Sequence, residues 1–149
     1  MPYVKLWIHL IWSTKYRRKL ISRELKPLLL DHIIVNAKTK SIYIDTVNCV
    51  DDHIHVLVSL STDQSVAKVT QMIKGEASFW VNHNHLIKSK FEWQDEYCAL
   101  TISYSDVDRV RQYIRNQEEH HRVKTFSEEF AQFENEYGFK KINDSAKAD

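Results

Sequence analysis

"DDHIHVLVSL", residues 51 to 60, alternates in a way that a helix cannot use. Ile54, Val56 and Val58 recur at every second position, and His53, His55 and Leu57 fill the positions between them. Period two is the signature of a strand, whose successive side chains point to opposite faces. The aliphatic residues Ile54, Val56 and Val58 then face a core, and His53 and His55 share the other, mixed face. Two imidazoles about 7 Å apart along a strand can tilt onto one metal ion. They can equally well be ordinary hydrogen-bonded histidines, and HxH alone leaves both readings open.

Working outward, "SIYIDTVNCV" (41–50) reads as the preceding strand, joined through Asp51-Asp52 in a hairpin. "YVKLWIHLIWS" (3–13) also alternates, with Val4, Leu6, Ile8, Leu10 and Trp12 on one face and Lys5, Trp7, His9 and Ile11 on the other. Were this strand a neighbour of the one carrying His53 and His55, His9 would look into the same site. "SRELKPLLLDHIIVNAKTK" (22–40) reads as a helix with Leu25, Leu28, Leu29, His32, Ile33 and Ala37 on its face and Pro27 near its start. Ser65 caps a second helix carrying Val66, Val69, Met72, Ile73, Ala77 and Trp80, which Gly75 interrupts. Gly75 marks either a close backbone approach or a tolerated weak spot.

Residues 82 to 96 read as a polar loop, "YCALTISY" as a fourth strand, and "SDVDRVRQYIRNQEEHH" (105–121) as a third helix opened by the capping pattern Ser105-x-x-Asp108. Past Lys124 a short helix and a charged, frayed tail are expected, to about residue 149. The order β-α-β-β-α-β-α points to an α+β, ferredoxin-like (RRM-like) antiparallel sheet, with two helices on one face and a further C-terminal helix. Such folds host many functions, so order alone names none.

The 149 residues fit one domain. No apolar run is long enough to span a membrane, and a cytoplasmic location is expected. Cys49 and Cys98 lack CxxC partners and read as reduced, buried thiols. The overall charge of +1 hides an asymmetry. Residues 1 to 40 hold nine Lys or Arg against Glu24 and Asp31, a net +7, and the remainder is net −6. The cluster "KYRRK" (15–19) suits a phosphate-bearing partner, or is simply a solvated loop.

In the third helix, Tyr113 and Gln117 are four apart and share a face. They are either a half-buried tyrosine with a surface glutamine, or a nucleophile and a metal ligand on one rigid element. His83 and His85 fall in a patternless loop. His120 and His121 close the helix, where cations complement its dipole.

Taken together, "HLIWSTKYRRKLI", "DDHIHVLVSL", "SVAKVTQMIKGEAS", "FEWQDEYCALTIS" and "VRQYIRNQEEHH" resemble the single-tyrosine HUH transposases of small bacterial insertion sequences, and their REP-associated relatives. His53-Ile54-His55 matches the HUH motif, and Tyr113-x-x-x-Gln117 the helix motif. The resemblance covers nearly the whole chain. It implies a divalent ion, Mg²⁺ or Mn²⁺, held by His53, His55 and Gln117; two imidazoles would also suit Zn²⁺. It implies Tyr113 as nucleophile, forming a 5′-phosphotyrosine with single-stranded DNA at hairpin-flanked ends. It further implies a homodimer, in some members with the tyrosine helix docked on the partner subunit.

Phosphate contacts are then expected from Lys15, Arg17, Arg18 and Lys19, with Arg23 and Lys74 as weaker choices. Trp93 could stack on an unpaired base, although core packing is the commoner fate of such a residue. The competing functional reading is a domesticated, non-catalytic hairpin binder, which needs neither Tyr113 nor Gln117. A metal hydrolase of the HxH barrel type does not fit a chain this short.

Overall fold

The structure is a computed structural model and describes residues 2–137. Four strands, β1 (Leu6–Ser13), β2 (Tyr43–Cys49), β3 (His53–Leu60) and β4 (Cys98–Ile102), form one sheet in the order β2-β3-β1-β4. Every neighbouring pair is antiparallel. This is the expected α+β, ferredoxin-like arrangement.

Helices α1 (Leu25–Thr39) and α2 (Val66–His83) cover one face. The core beneath them holds Ile8, Leu10 and Trp12 from β1, Ile54, Val56 and Val58 from β3, Leu25, Leu29 and Ile33 from α1, and Val69, Ile73 and Ala77 from α2. The alternation of β1 and β3 sends these strand residues to one side, and the spacing of α1 and α2 returns a matching stripe. Ahead of α1, whose N-cap residue Glu24 makes no side-chain cap bond, the Ser22 hydroxyl accepts from Leu25 N at 3.1 Å. Pro27 sits in the first turn, where a missing N–H costs nothing. Leu28 departs from its expected face and is 50% exposed, because the stripe narrows to Leu25, Leu29, Ile33 and Ala37. Ser65 caps α2 as expected, accepting from Lys68 N. A β-carbon built at Gly75 meets nothing within 4 Å, so this glycine serves no close approach.

The opposite face is also covered, by α3 (Val107–Arg115), α4 (Gln117–Val123) and α5 (Phe126–Tyr137). The third helix differs from its sequence expectation in two ways. It begins after a short 3₁₀ turn (Tyr104–Asp106) with no side-chain cap, so the Ser105–Asp108 box does not form. The acids pair with arginines instead: Arg109 donates to Asp106 and Arg111 to Asp108, each at 2.6 Å. It also breaks at Asn116, which separates α3 from α4.

Trp7 and Leu57 pack against Val107 and Ile114 of α3, and Ile11, Cys98 and Leu100 pack against Phe126 and Phe130 of α5. The short helix expected past Lys124 is thus a packed element, while the charged tail expected after it lies outside the described residues. Among the described residues, no helix is long and apolar enough to cross a membrane.

The loop between α2 and β4 is anchored by buried aromatics. Phe91 and Trp93 enter the first core, where Trp93 meets Trp12 edge-on at 5.9 Å. Trp93 is therefore a packing residue, as its alternative reading had it. Cys49 and Cys98 are free thiols and both are buried.

Candidate active site

The site grows from the register of β1 and β3. His9 opposes Leu57, and Ile11 opposes His55. His9 and His55 therefore sit diagonally on the same face, and their rings are 5.0 Å apart. His9 Nε2 lies 2.8 Å from His55 Nδ1. Burial pushes the pKa of both histidines down, and in His9 the neighbouring His55 adds to the effect. A neutral pair is satisfied by one donor each: His9 Nε2–H to His55 Nδ1, and His55 Nε2–H to Glu129 Oε1 at 3.0 Å.

His53 behaves differently. Burial opposes its charge, but the nearby carboxylates of Asp52, which accepts a hydrogen bond, and Glu129 outweigh that and raise its pKa to about 9. Its Nδ1 is 2.7 Å from Asp52 Oδ1. Its Nε2 is 3.4 Å from Glu129 Oε1 and is without a hydrogen-bond partner among the described residues.

Tyr113 arrives on α3 from the far side. Its ring is 5.6 Å from the His55 ring and 6.2 Å from that of His9, and its hydroxyl donates to Glu129 Oε2. Burial, then the Glu129 carboxylate, raises its pKa far above that of a free phenol, while the Gln117 amide pulls the other way. Two anchors from β2 hold α3 in place. Asn48 Nδ2 donates to the carbonyls of Ile114 and Arg115, at 2.9 and 3.2 Å. Arg111 grips Asp45 through two bonds of 2.7 and 2.8 Å. Asp45 is the extra residue of a β-bulge between Ile44 and Thr46, a local kink that can re-aim a side chain out of the ladder.

Gln117 opens α4 and is fully buried. Its Nε2 donates to the Tyr113 carbonyl, while its Oε1 has no hydrogen-bond partner among the described residues. A buried amide oxygen left in this way is costly unless something else meets it. His53 Nε2 and Gln117 Oε1, neither of which makes a hydrogen bond among the described residues, are atoms of the kind a cation would take once His53 is neutral. His53, His55 and Glu129 also bring one ligand atom each within 4.8 Å of one another. This set of two imidazoles and a carboxylate fits a divalent metal.

Glu129 escaped the sequence reading altogether. It lies on α5, in a stretch read as a short helix before a frayed tail, and no local signal separates it from Glu128 beside it. Only the docking of Phe126 and Phe130 turns it inward. His120 and His121 lie in the last turn of α4, as the helix-dipole reading expects, and they also face the site. The His120 ring lies 4.5 Å from that of Tyr113, and His121 Nε2 lies 3.1 Å from Asp51 Oδ1 with its ring 5.6 Å from His53. His83 stacks on Phe79 on the far helix, away from this cluster.

The basic residues divide. Arg17, Arg18, Lys19 and Arg23 are exposed. Lys15 is partly tied, its Nζ 3.4 Å from Glu92. Lys74 does not offer its ammonium freely: it donates to the Gln94 and Asp95 carbonyls at 2.6 and 3.1 Å, and burial lowers its pKa. Its evident task is to anchor that loop.

Comparison with known proteins agrees with this arrangement. Residues 2–117 match the family model described as "Transposase IS200 like". The ISDra2 transposase TnpA of Deinococcus radiodurans is 27% identical over 118 residues, covering 76% of this chain and 84% of that protein. A crystal structure of a transposase from Deinococcus radiodurans R1 superimposes with a TM-score of 0.61 at 27% identity, over 78% of this chain and 95% of that one. The structure of a REP-associated tyrosine transposase bound to a REP hairpin gives a TM-score of 0.60 at 20% identity, over 81% of this chain and 72% of that one, and speaks for the fold. On the match across residues 2–117, this chain belongs to the IS200-like transposases, a family of DNA-cleaving enzymes.

Proposed function

We propose that this transposase cleaves and rejoins single-stranded DNA at hairpin-flanked ends, with Tyr113 as nucleophile and His53, His55 and Gln117 as ligands of a divalent ion, Mg²⁺ or Mn²⁺. Glu129 joins them as a further oxygen donor. One observation carries the reading: the Tyr113 hydroxyl and both imidazoles of the HxH pair converge on the same carboxylate, that of Glu129. Nucleophile and ligand pair thus belong to one small volume. The hairpin bound by the REP-associated relative supports a structured DNA end as the partner.

The chemistry follows from the atoms present. Tyr113 Oη attacks phosphorus, the P–O3′ bond breaks, and the 3′ oxygen leaves and takes up a proton. The product is a 5′-phosphotyrosine, and a second 3′-hydroxyl can reverse the step and join a new strand, so no nucleotide cofactor is consumed. In the arrangement described, Tyr113 is protonated, since burial and Glu129 both disfavour the phenolate. His53, His55, Gln117 and Glu129 would hold the divalent ion, which when bound would supply Lewis-acid chemistry. Asn48 and Arg111 hold α3 so that the phenol stays aligned. With an ion on His55 Nε2, the His55 proton would move to Nδ1 and be donated to His9 Nε2, so His9 would orient the ligand through its second ring nitrogen.

Within one chain, the Tyr113 ring lies 5.6 Å from that of His55. A homodimer remains part of the proposal through the family resemblance. The alternative, a non-catalytic hairpin binder, draws on the capping of the phenol by Glu129.

The test is incubation of the protein with labelled single-stranded DNA carrying a hairpin, with Mn²⁺. A covalent band on a denaturing gel, mapped to Tyr113 and missing from Tyr113→Phe, is expected. Hairpin binding without any adduct would select the non-catalytic reading.

A further inference from the structure

Tyr16 stands in the turn that leaves β1, and it is 73% exposed. Its backbone is left-handed (φ 56°), and so is that of Arg17 (φ 54°). Neither residue is a glycine, and a β-carbon resists this conformation. Two successive strained residues persist only where the surroundings fix them. Here the turn is pinned from several sides. Thr14 Oγ1 donates to Arg18 O at 2.6 Å, and Arg17 N to Thr14 O at 3.0 Å. Lys15 N donates to Glu92 O at 2.9 Å, and Tyr16 N to Gln94 Oε1 at 3.3 Å.

This strain does not serve packing, for Tyr16 belongs to neither core layer. The chain is bent so as to leave an aromatic ring in water. Cations lie close to it: Lys15 Nζ is 5.8 Å and Arg18 Cζ 5.6 Å from the ring centroid, and Arg17 and Lys19, next along the chain, are exposed. A water-exposed aromatic ring with a lysine and an arginine close to it matches one ligand chemistry well, a nucleobase with its flanking phosphates.

The location connects this turn to the active site. Ser13, the last residue of β1, is paired with His53, and Thr14 N donates to Asp52 O at 2.8 Å. Three residues past Ser13, Tyr16 is within about 10 Å of that strand end along the chain. DNA lying over the histidine pair has this turn beside it.

We infer that Tyr16 is a stacking platform for an unpaired nucleobase of the strand engaged at the histidine site, with Lys15, Arg17 and Arg18 on the adjoining phosphates. The inference rests on the single-strand reading proposed above. A duplex presents no open base face, so the platform favours single strands over double strands. Its contribution is sequence-tolerant, because every base has a face to stack.

The test uses the whole protein and a fluorescein-labelled 30-nucleotide single strand of mixed sequence, alongside its duplex, by anisotropy over a range of salt. Tyr16→Asn removes the ring while keeping a residue that tolerates left-handed backbone. It is expected to weaken single-strand binding about five- to a hundred-fold, to leave duplex binding within about twofold, and to keep the slope of log K against log salt. Tyr16→Phe keeps wild-type affinity. Arg17→Gln instead flattens the salt slope.

Photocrosslinking of wild-type protein to a single strand containing 5-iododeoxyuridine is expected to map to Tyr16, a readout independent of any variant's folding. Unchanged single-strand affinity in Tyr16→Asn, an equal loss for single strand and duplex, or crosslinks that avoid Tyr16 would overturn the platform. If the wild type forms the Tyr113 adduct while Tyr16→Asn binds normally, the platform alone falls. If the wild type has no affinity for single strands, the proposed function falls and takes the platform with it.

Discussion

The hydroxyl of Tyr113 donates to the carboxylate of Glu129, sixteen residues further along the chain. The same carboxylate accepts from His55 through its other oxygen. Glu129 thus ties the candidate nucleophile to the candidate metal ligands, and it comes from an element that local sequence marks only as a short terminal helix.

Metal binding tests the ligand set. His53→Ala is expected to abolish Mn²⁺ binding measured by EPR or calorimetry. Glu129→Ala and Gln117→Ala are each expected to weaken it by about tenfold or more. Wild-type Mn²⁺ affinity in Glu129→Ala would remove that residue from the set.

The β2 anchors should act on rate rather than on metal. Asp45→Asn loosens Arg111, and Asn48→Ala frees the carbonyls at the end of α3. Each is expected to slow adduct formation about ten- to a hundred-fold with Mn²⁺ affinity unchanged, since misplacing a nucleophile by about 1 Å has that scale of effect. Unaltered single-turnover rates would show that α3 is positioned by packing alone.

The Asp45–Arg111 pair also carries a pH signature. The Arg111 hydrogen bond, foremost, holds the Asp45 carboxyl below its usual range. A depressed folded-state pKa stabilises above the unfolded value of about 3.9 and is lost as pH falls through the folded one. Wild type is therefore expected to unfold at a higher temperature than Asp45→Asn at neutral pH. The difference should close in acid, below about pH 4. A difference that stayed constant down to pH 2 would assign the effect to shape and not to charge.

Gly75→Ala should stabilise the protein. The site is helical, its surroundings are open, and glycine costs a helix interior about 1 kcal/mol relative to alanine. A rise in Tm of about 3 °C is expected by calorimetry, and a fall would mean the space is filled in solution.

Burial pushes the thiols of Cys49 and Cys98 up to about 12. At pH 8 the thiolate is scarce and shielded. Ellman's reagent should therefore find almost no reactive thiol in the folded protein and two per chain in guanidinium. Rapid labelling of native protein at pH 8 would contradict the packing of both sheet faces.

Much of this molecule was legible in the sequence because its signals are local. Alternation in residues 51–60 and 3–13 fixed the strands and the two faces of each, since neighbouring side chains on a strand must diverge. The helical stripes of α1 and α2 followed from spacing in the same way, though Leu28 shows that a stripe's width is decided by what packs on it. HxH could be read as a motif because it sits on one strand, whereas Tyr113 and Gln117 fall on α3 and α4, on either side of the break at Asn116 that local spacing did not announce. The Ser105–Asp108 cap does not form because Ser105 lies inside the 3₁₀ turn that precedes α3, and Asp108 pairs with Arg111 instead.

What lay between elements could not be read this way. Glu129, His120 and His121 join the site through contacts of side chains distant in sequence, set by how α4 and α5 dock on the sheet. The bulge that releases Asp45 depends on the register of β2 against β3, a property of two strands and not of one. Sequence determined which residue types face together along each element, because backbone geometry repeats over a few residues. Tertiary structure alone decided which carboxylate meets the tyrosine and the histidine pair, because that depends on the sum of packing across the whole second face.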